Sequence, residues 1–303
     1  MAITAPTLTS DFSGYLTPEM AEPYFDEARQ ASVVQQLCRR VPLGITGRSV
    51  PVTTSKPTAA WVDEGGQKSA TKGSKSLKTI SPKKLAAIIV VSKEVVRANP
   101  GNYINDIRKD LGEAFALAFD AATLHGTNTP FGATNYIAKT TKSVALGTAS
   151  AATGGIHKDV VSGMKLLVNA GKKCNGFAFD LIAEPLFLES VDASGRPFYV
   201  QTPLENTVSA VTPGKLLGRS AFLGDGVEDG AGVIGFGGDW TQAVWGVVGG
   251  ISYDVSREAT VTIDGELVSL FENNLVAILA EAEYGWLCND TDAFCKYTYD
   301  ESA

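Results

Sequence analysis

Two histidines, four cysteines and one glycine cluster are the residues from which this chain could build catalytic chemistry. Gly232, Gly235, Gly237 and Gly238 resemble a phosphate-binding loop. Such a loop leaves a strand and opens a helix, so that backbone N–H groups meet the phosphate. Here Asp239, Trp240, Thr241 and Gln242 lead into a further strand-like run, so the glycines read as turns between strands. His125 ends one helical pattern and His157 begins another, and neither sits in a GxSxG or HExxH setting. His125 occupies a last helical turn, where its charge would favour the helix dipole. Cys38, Cys174, Cys288 and Cys295 form no CxxC pair, and the spacing of the last two fits no common zinc site. They read as reduced thiols. The four tryptophans read as packing anchors, and no cofactor or metal is expected.

A second set is cationic. The net charge is −7, yet residues 1–110 carry 15 Lys/Arg against 10 Asp/Glu, and residues 111–303 carry 11 against 23. Eight basic residues lie between Arg48 and Lys84, opposed only by Asp63 and Glu64. No aromatic side chain from Val62 to Ile80 offers a stacking platform for bases, which argues against nucleic-acid recognition. The cluster is a solvated loop or a surface that meets an acidic neighbour.

Behind these residues stands one long helix, predicted over 102–125. Pro100 and Gly101 break the chain before it, Asn102 caps it and Gly126 stops it. Ile104, Ile107, Leu111, Phe115, Ala118 and Ala122 share one face, and from Ala114 to Leu124 the only charge is Asp120, so that half should be covered on nearly every side. Ahead of it, residues 1–47 read as an arm with helices over 18–28 and 32–40. Residues 49–53 and 83–92 read as the two strands of a ribbon; the long polar stretch between them, with one anchor at Trp61, cannot bury itself on its own domain. Further on, a helix is expected over 156–170, a strand over 177–182 and a short helix over 185–191. Residues 195–218 read as loop-rich. Short strands follow at 221–223, 233–236, 243–248 and 251–254, and final strands at 274–286 and 293–298 pack back near the long helix. The class is α+β, with a core large enough for two lobes. No apolar run approaches the roughly 18 residues of a membrane span, and no secretory signal opens the chain, so it reads as made and kept in a cytosol.

Several stretches carry a resemblance. These are Trp61-Val62-Asp63-Glu64-Gly65, the run from Ser81-Pro82-Lys83-Lys84 to Glu94, and Leu124-His125-Gly126 through Pro130-Phe131-Gly132. Gly195-Arg196-Pro197, Gly214 to Gly218, Gly237-Gly238-Asp239-Trp240 and Phe271-Glu272-Asn273-Asn274 follow in order. Together they resemble the major capsid proteins of tailed double-stranded DNA bacteriophages with the Hong Kong 97-like fold. The resemblance covers nearly the whole chain. It implies an N-terminal arm (1–47), an extended β-ribbon loop (48–85), a peripheral domain with a spine helix (86–140), an axial domain (141–262) and a return to the peripheral domain (263–303).

The function so implied is structural, not enzymatic: a subunit that joins copies of itself into hexamers and pentamers of an icosahedral head around double-stranded DNA. The virion capsid would be its location, after assembly in the bacterial host cytoplasm. The implied interface residues are Trp61, Asp63, Glu64, Lys68, Lys72, Lys75 and Lys78 in the loop, with the arm 1–30. Arg196, Pro197, Gly214 and Gly218 would form an axial-domain turn. Implied partners are separate scaffolding and portal proteins, with decoration proteins an open addition and DNA only by non-specific proximity. Because the chain begins a few residues before the arm, no cleaved scaffolding segment is expected. Some relatives join a loop lysine to a neighbour's asparagine with help from a glutamate. That carries over to Lys68, Lys72, Lys75 or Lys78, to Asn274 and to Glu281, beside the plainer reading that the last two hydrogen-bond within their domain. Two other readings remain: an encapsulin-like protein compartment, and a cytosolic ligand-binding or hydrolytic enzyme.

Overall fold

The computed structural model describes residues 32–98, 103–150, 154–190, 199–201 and 211–299. The expected helix over 18–28, the caps at Pro100, Gly101 and Asn102, and Arg196 and Pro197 lie outside these residues.

The long helix runs Tyr103–Leu124. It buries Ile107, Leu111, Phe115, Phe119 and Ala122, a stripe repeating every three or four residues. Ala118, expected on that stripe, is exposed, as is Ala114, and Phe119 fills the inward position instead. Gly126 ends the helix at φ +77°, where a Cβ would also meet the Tyr136 ring at 2.6 Å.

This helix packs on a four-stranded sheet ordered Arg39–Arg40, Ala243–Ser256, Leu275–Cys288, Lys83–Ser92. Along Leu275–Cys288, Ala280, Ala282, Tyr284 and Trp286 alternate onto the helix side and join one core with it. Phe119 is the hub: its ring lies 5.1 Å from Tyr284 and 6.2 Å from each of Trp245 and Trp286. Residues 243–248 and 251–254, expected as separate strands, form one strand Ala243–Ser256. Gly249 (φ +68°) and Gly250 sit in a register shift within it, a bulge rather than a break.

A second core lies on a seven-stranded sheet ordered Ser143–Ala145, Phe294–Thr298, Val233–Gly238, Gly176–Phe179, Arg219–Gly224, Val211–Leu216, Tyr199–Gln201. The helix Gly155–Asn169 covers it through Val160 and Leu167. The Tyr297 hydroxyl donates to the Val160 carbonyl at 3.1 Å. The last strand therefore belongs to this second sheet rather than to the one under the long helix, although its Phe294 shares that helix's core. It pairs antiparallel with Val233–Gly238, because its buried Phe294, Cys295 and Tyr297 need cover on both faces.

The ribbon also differs from expectation. Arg48–Ser55 pairs with Ser74–Ile80, in a register from Arg48↔Ile80 to Ser55↔Ser74. Lys83–Ser92 leaves the ribbon and pairs with Leu275–Cys288 in unbroken register, Tyr284↔Lys83 to Leu275↔Ser92. The return strand has only Leu77 and Ile80 as apolar residues, and Leu77 is exposed, so no alternation marks it.

Candidate inter-subunit surface

The ribbon is a structure without a core of its own. Of residues 48–80 only Ile80 is buried. Backbone pairing is supplemented by hydroxyl contacts across the strands: Ser49 to Thr79 at 3.2 Å, Thr54 to Ser74 at 2.7 Å and Ser55 to Ser74 at 2.8 Å. At its base, Arg48 donates to the Pro42 carbonyl at 3.0 Å and Lys78 Nζ to the Asn289 carbonyl at 2.9 Å. Gly47, at φ +85°, is required there, since a Cβ would lie 2.5 Å from the Ile80 carbonyl oxygen. The base is thus fastened to the body while the outer part projects.

Lys68, Lys72 and Lys75 are exposed on the outer part with Asp63 and Glu64. Lys78 is not free there: it is half-buried and ties the ribbon to its own chain. Trp61 does not anchor the ribbon within its own chain. It is 104% exposed at the tip, whereas Trp240, Trp245 and Trp286 are core residues. Gly214 is not part of a turn either; it lies in the strand Val211–Leu216, where a Cβ would strike the Tyr199 ring, and Gly218 (φ +74°) closes the tight hairpin after it.

Asn274 and Glu281 stand apart. Asn274 is exposed at φ +52° just before the strand Leu275–Cys288, and Glu281 lies within it on the face away from the helix. Seven residues of unbroken strand separate them by roughly 23 Å. Glu281 holds Lys84 at 2.9 Å, a hydrogen bond that raises the lysine pKa and keeps the ammonium charged. One copy therefore cannot bring Asn274 and Glu281 to the same lysine.

Where the chain emerges from residues 1–31, Asp120 of the long helix receives it. Ser32 Oγ donates to Asp120 Oδ1 at 2.6 Å and the Val33 N–H donates to Oδ2 at 2.8 Å. Ser32 also caps the helix Val33–Leu37 through the Gln35 N–H. Burial pushes the Asp120 carboxyl up to about 7, against the opposing pull of these donors.

Sites for other chemistry are absent from the described residues. Gly235, Gly237 and Gly238 are not turns but lie inside the buried strand Val233–Gly238. The missing side chains of Gly235 and Gly237 make room for the stacked rings of Phe179 and Phe177, 6.1 Å apart, with a Cβ on Gly237 sitting 2.8 Å from Phe177, and Gly238 makes room for Phe294. His125 has its Nε2 at 2.8 Å from the Val227 carbonyl and its Nδ1 at 3.6 Å from Asp229. Burial lowers its pKa, so it is neutral at neutral pH rather than a charged partner of the helix dipole. All four cysteines are free and buried, and burial raises each thiol pKa. No cluster of His, Cys, Asp or Glu among the described residues is arranged to hold a metal ion.

The comparisons with known proteins agree with a structural role. The family described as Phage capsid family matches residues 13–299. The chain is 41% identical to a probable major capsid protein of Mycobacterium phage D29, over 97% of this chain and 93% of that one. It is 43% identical to the corresponding protein of Mycobacterium phage L5, over 97% and 92%. A solved structure from Gordonia phage Cozz superposes with a TM-score of 0.69 at 23% identity, over 89% of this chain and 86% of that chain, which speaks for the fold alone. The fold is the mixed α+β, Hong Kong 97-like one, and the chain belongs to the phage capsid family as a major capsid protein of a tailed-phage head.

Proposed function

We propose that this subunit builds hexamers and pentamers of an icosahedral head by laying its ribbon, and the arm residues 1–30, on neighbouring copies. The observation that carries this reading is the ribbon: a fastened base, a projecting outer part, and a fully exposed tryptophan at its tip. Apolar surface left in water on one copy gains by burial on the next. The long helix with its four-stranded sheet corresponds in this reading to the peripheral domain, and the seven-stranded sheet to the axial domain. The final strand Phe294–Thr298 then counts with the axial side. Separate scaffolding and portal proteins are the further partners in this reading, decoration proteins stay an open addition, and DNA is enclosed by proximity. Identity of 41–43% to phage capsid proteins along nearly the full chain favours a head over an encapsulin-like compartment.

The test is removal of residues 56–73 with a short turn in their place. Those residues touch no core, so the subunit should keep its melting temperature within about 2 °C, an effect under roughly 1 kcal/mol. Shells seen by electron microscopy for the full chain should be missing or fragile. Normal, salt-resistant shells from the shortened chain would refute the reading.

A further inference from the structure

Beside the long helix is a cleft of about 370 Å³. Ala118, Ala122, Pro130, Phe131 and Tyr284 line it, with Lys83 at its edge. It lies at the low end of the roughly 300–1,000 Å³ of ligand sites, with room for one aromatic side chain. The exposed Ala118 leaves the helix surface open here, and the Tyr284 hydroxyl is buried without a hydrogen-bond partner among the described residues. Lys83 is exposed and makes no ion pair among those residues.

The ribbon tip has the complementary chemistry. Trp61 is a fully exposed aromatic, and Asp63 and Glu64 follow it, exposed as well. An apolar knob beside two carboxylates matches an apolar cleft beside an ammonium. An indole offers about 150–250 Å² of surface to bury and an N–H donor.

Trp61 does not fill the cleft of its own chain: it is fully exposed beyond the paired part of the ribbon and is not among the residues that line the cleft. The cleft is therefore open to another copy.

We infer that Trp61 of one copy docks in the cleft between Ala118 and Phe131 of a second copy, with Asp63 and Glu64 paired to the second copy's Lys83. This rests on the reading of the chain as a shell subunit and names the receptor for its ribbon. Charge complementarity at the lip sets which way the tip enters.

A photoreactive benzoylphenylalanine in place of Trp61, in assembled particles of the full chain, reads the contact directly. Irradiation should join position 61 to peptides spanning 118–131 of another copy, as mapped by mass spectrometry. Cross-links from position 61 confined to other surfaces would overturn the inference. A second arm uses Ala118→Phe, which fills the cleft from an exposed position. It should raise the concentration needed for assembly at least tenfold, as should Trp61→Ala, with the subunit still folded. Assembly of Ala118→Phe at the parent's concentration would overturn the docking. Lys83→Glu should weaken assembly likewise, and adding Asp63→Lys and Glu64→Lys should restore part of it; no restoration counts against the pairing. Failure of the unmodified chain to form shells of any kind would instead overturn the shell reading beneath it.

Discussion

Asp120 gives the sharpest quantitative test of the fold. Its carboxyl is buried and titrates near 7 in the folded chain, against an ordinary value near 3.8. The folded state therefore holds a proton that the unfolded chain releases over that interval, and stability contributed in acid is lost as pH rises through about 7. Each unit of that interval is worth about 1.4 kcal/mol, so raising the pH from 5 to 7 weakens the fold by roughly 2–3 kcal/mol through this one group. At about 2–4 °C per kcal/mol for a domain of this size, that is roughly 5–10 °C in melting temperature. Asp120→Asn removes the titration and keeps an amide oxygen for the Val33 N–H and an N–H for Ser32 Oγ. Melting curves of unassembled subunits should converge near pH 4 and separate up to about pH 7, with the Asn variant the higher. Asp120→Ala, by contrast, strands the buried Ser32 hydroxyl and Val33 N–H, at about 1–3 kcal/mol each, and should melt lower at every pH. Parent and Asn curves that run parallel from pH 5 to 8 would refute the buried-carboxylate reasoning.

Other consequences can be measured on the same subunits. His125 has a lowered pKa, so the stability it supports is present above about 6.5 and lost as pH falls through its folded value; His125→Gln should flatten the acid side of the profile, and an unchanged acid limb would contradict its neutral state. Gly235→Ala pushes a methyl group into the Phe179 ring and should cost about 1–3 kcal/mol by calorimetry, with an unchanged melting temperature counting against the packing account. A covalent joint between a loop lysine and Asn274 must take its glutamate from a different copy; mixed particles of Asn274→Ala and Glu281→Ala subunits should regain part of a band ladder that each variant alone abolishes. A mixture as blank as either variant would show that one copy supplies both, and a single band near 31.9 kDa from boiled parent particles would remove the joint altogether.

The parts of the fold that were legible in the sequence are those with one wet and one dry face. The helix Tyr103–Leu124 declares itself because Ile107, Leu111 and Phe115 recur at helical spacing beside charged residues such as Lys109 and Asp110. Lys83–Ser92 was readable as a strand from its apolar run, but not its partner, since the same run suits a ribbon or a sheet. Ser74–Ile80 was not readable at all. A strand wet on both faces has no reason to alternate, and backbone pairing with cross-strand hydroxyls leaves serine, threonine and lysine around two isolated apolar residues, Leu77 and Ile80. The glycines of Val233–Gly238 mislead in the opposite sense. Punctuation in an exposed segment becomes packing space in a buried one, and burial is set by Phe177 and Phe179 on another strand.

The interaction surface shows why its two halves differ in legibility. The tip is local: Trp61 next to Asp63 and Glu64 can be read directly, and the structure adds that Trp61 finds no cover within its own chain. The cleft is assembled from Lys83, Ala118, Phe131 and Tyr284, which meet only after the sheet and helix have packed. Asp120 lies between these cases. A lone carboxylate in an apolar half-helix signals a buried polar partner, because an unpaired one would be too costly. Its partners, Ser32 and the Val33 N–H, lie 88 and 87 residues away. Here the partner was invisible in the sequence, yet the need for one was not. For a shell subunit the same logic extends past the chain: a fully exposed Trp61 on a fastened ribbon leaves unmet, within one copy, the burial that a second copy can supply.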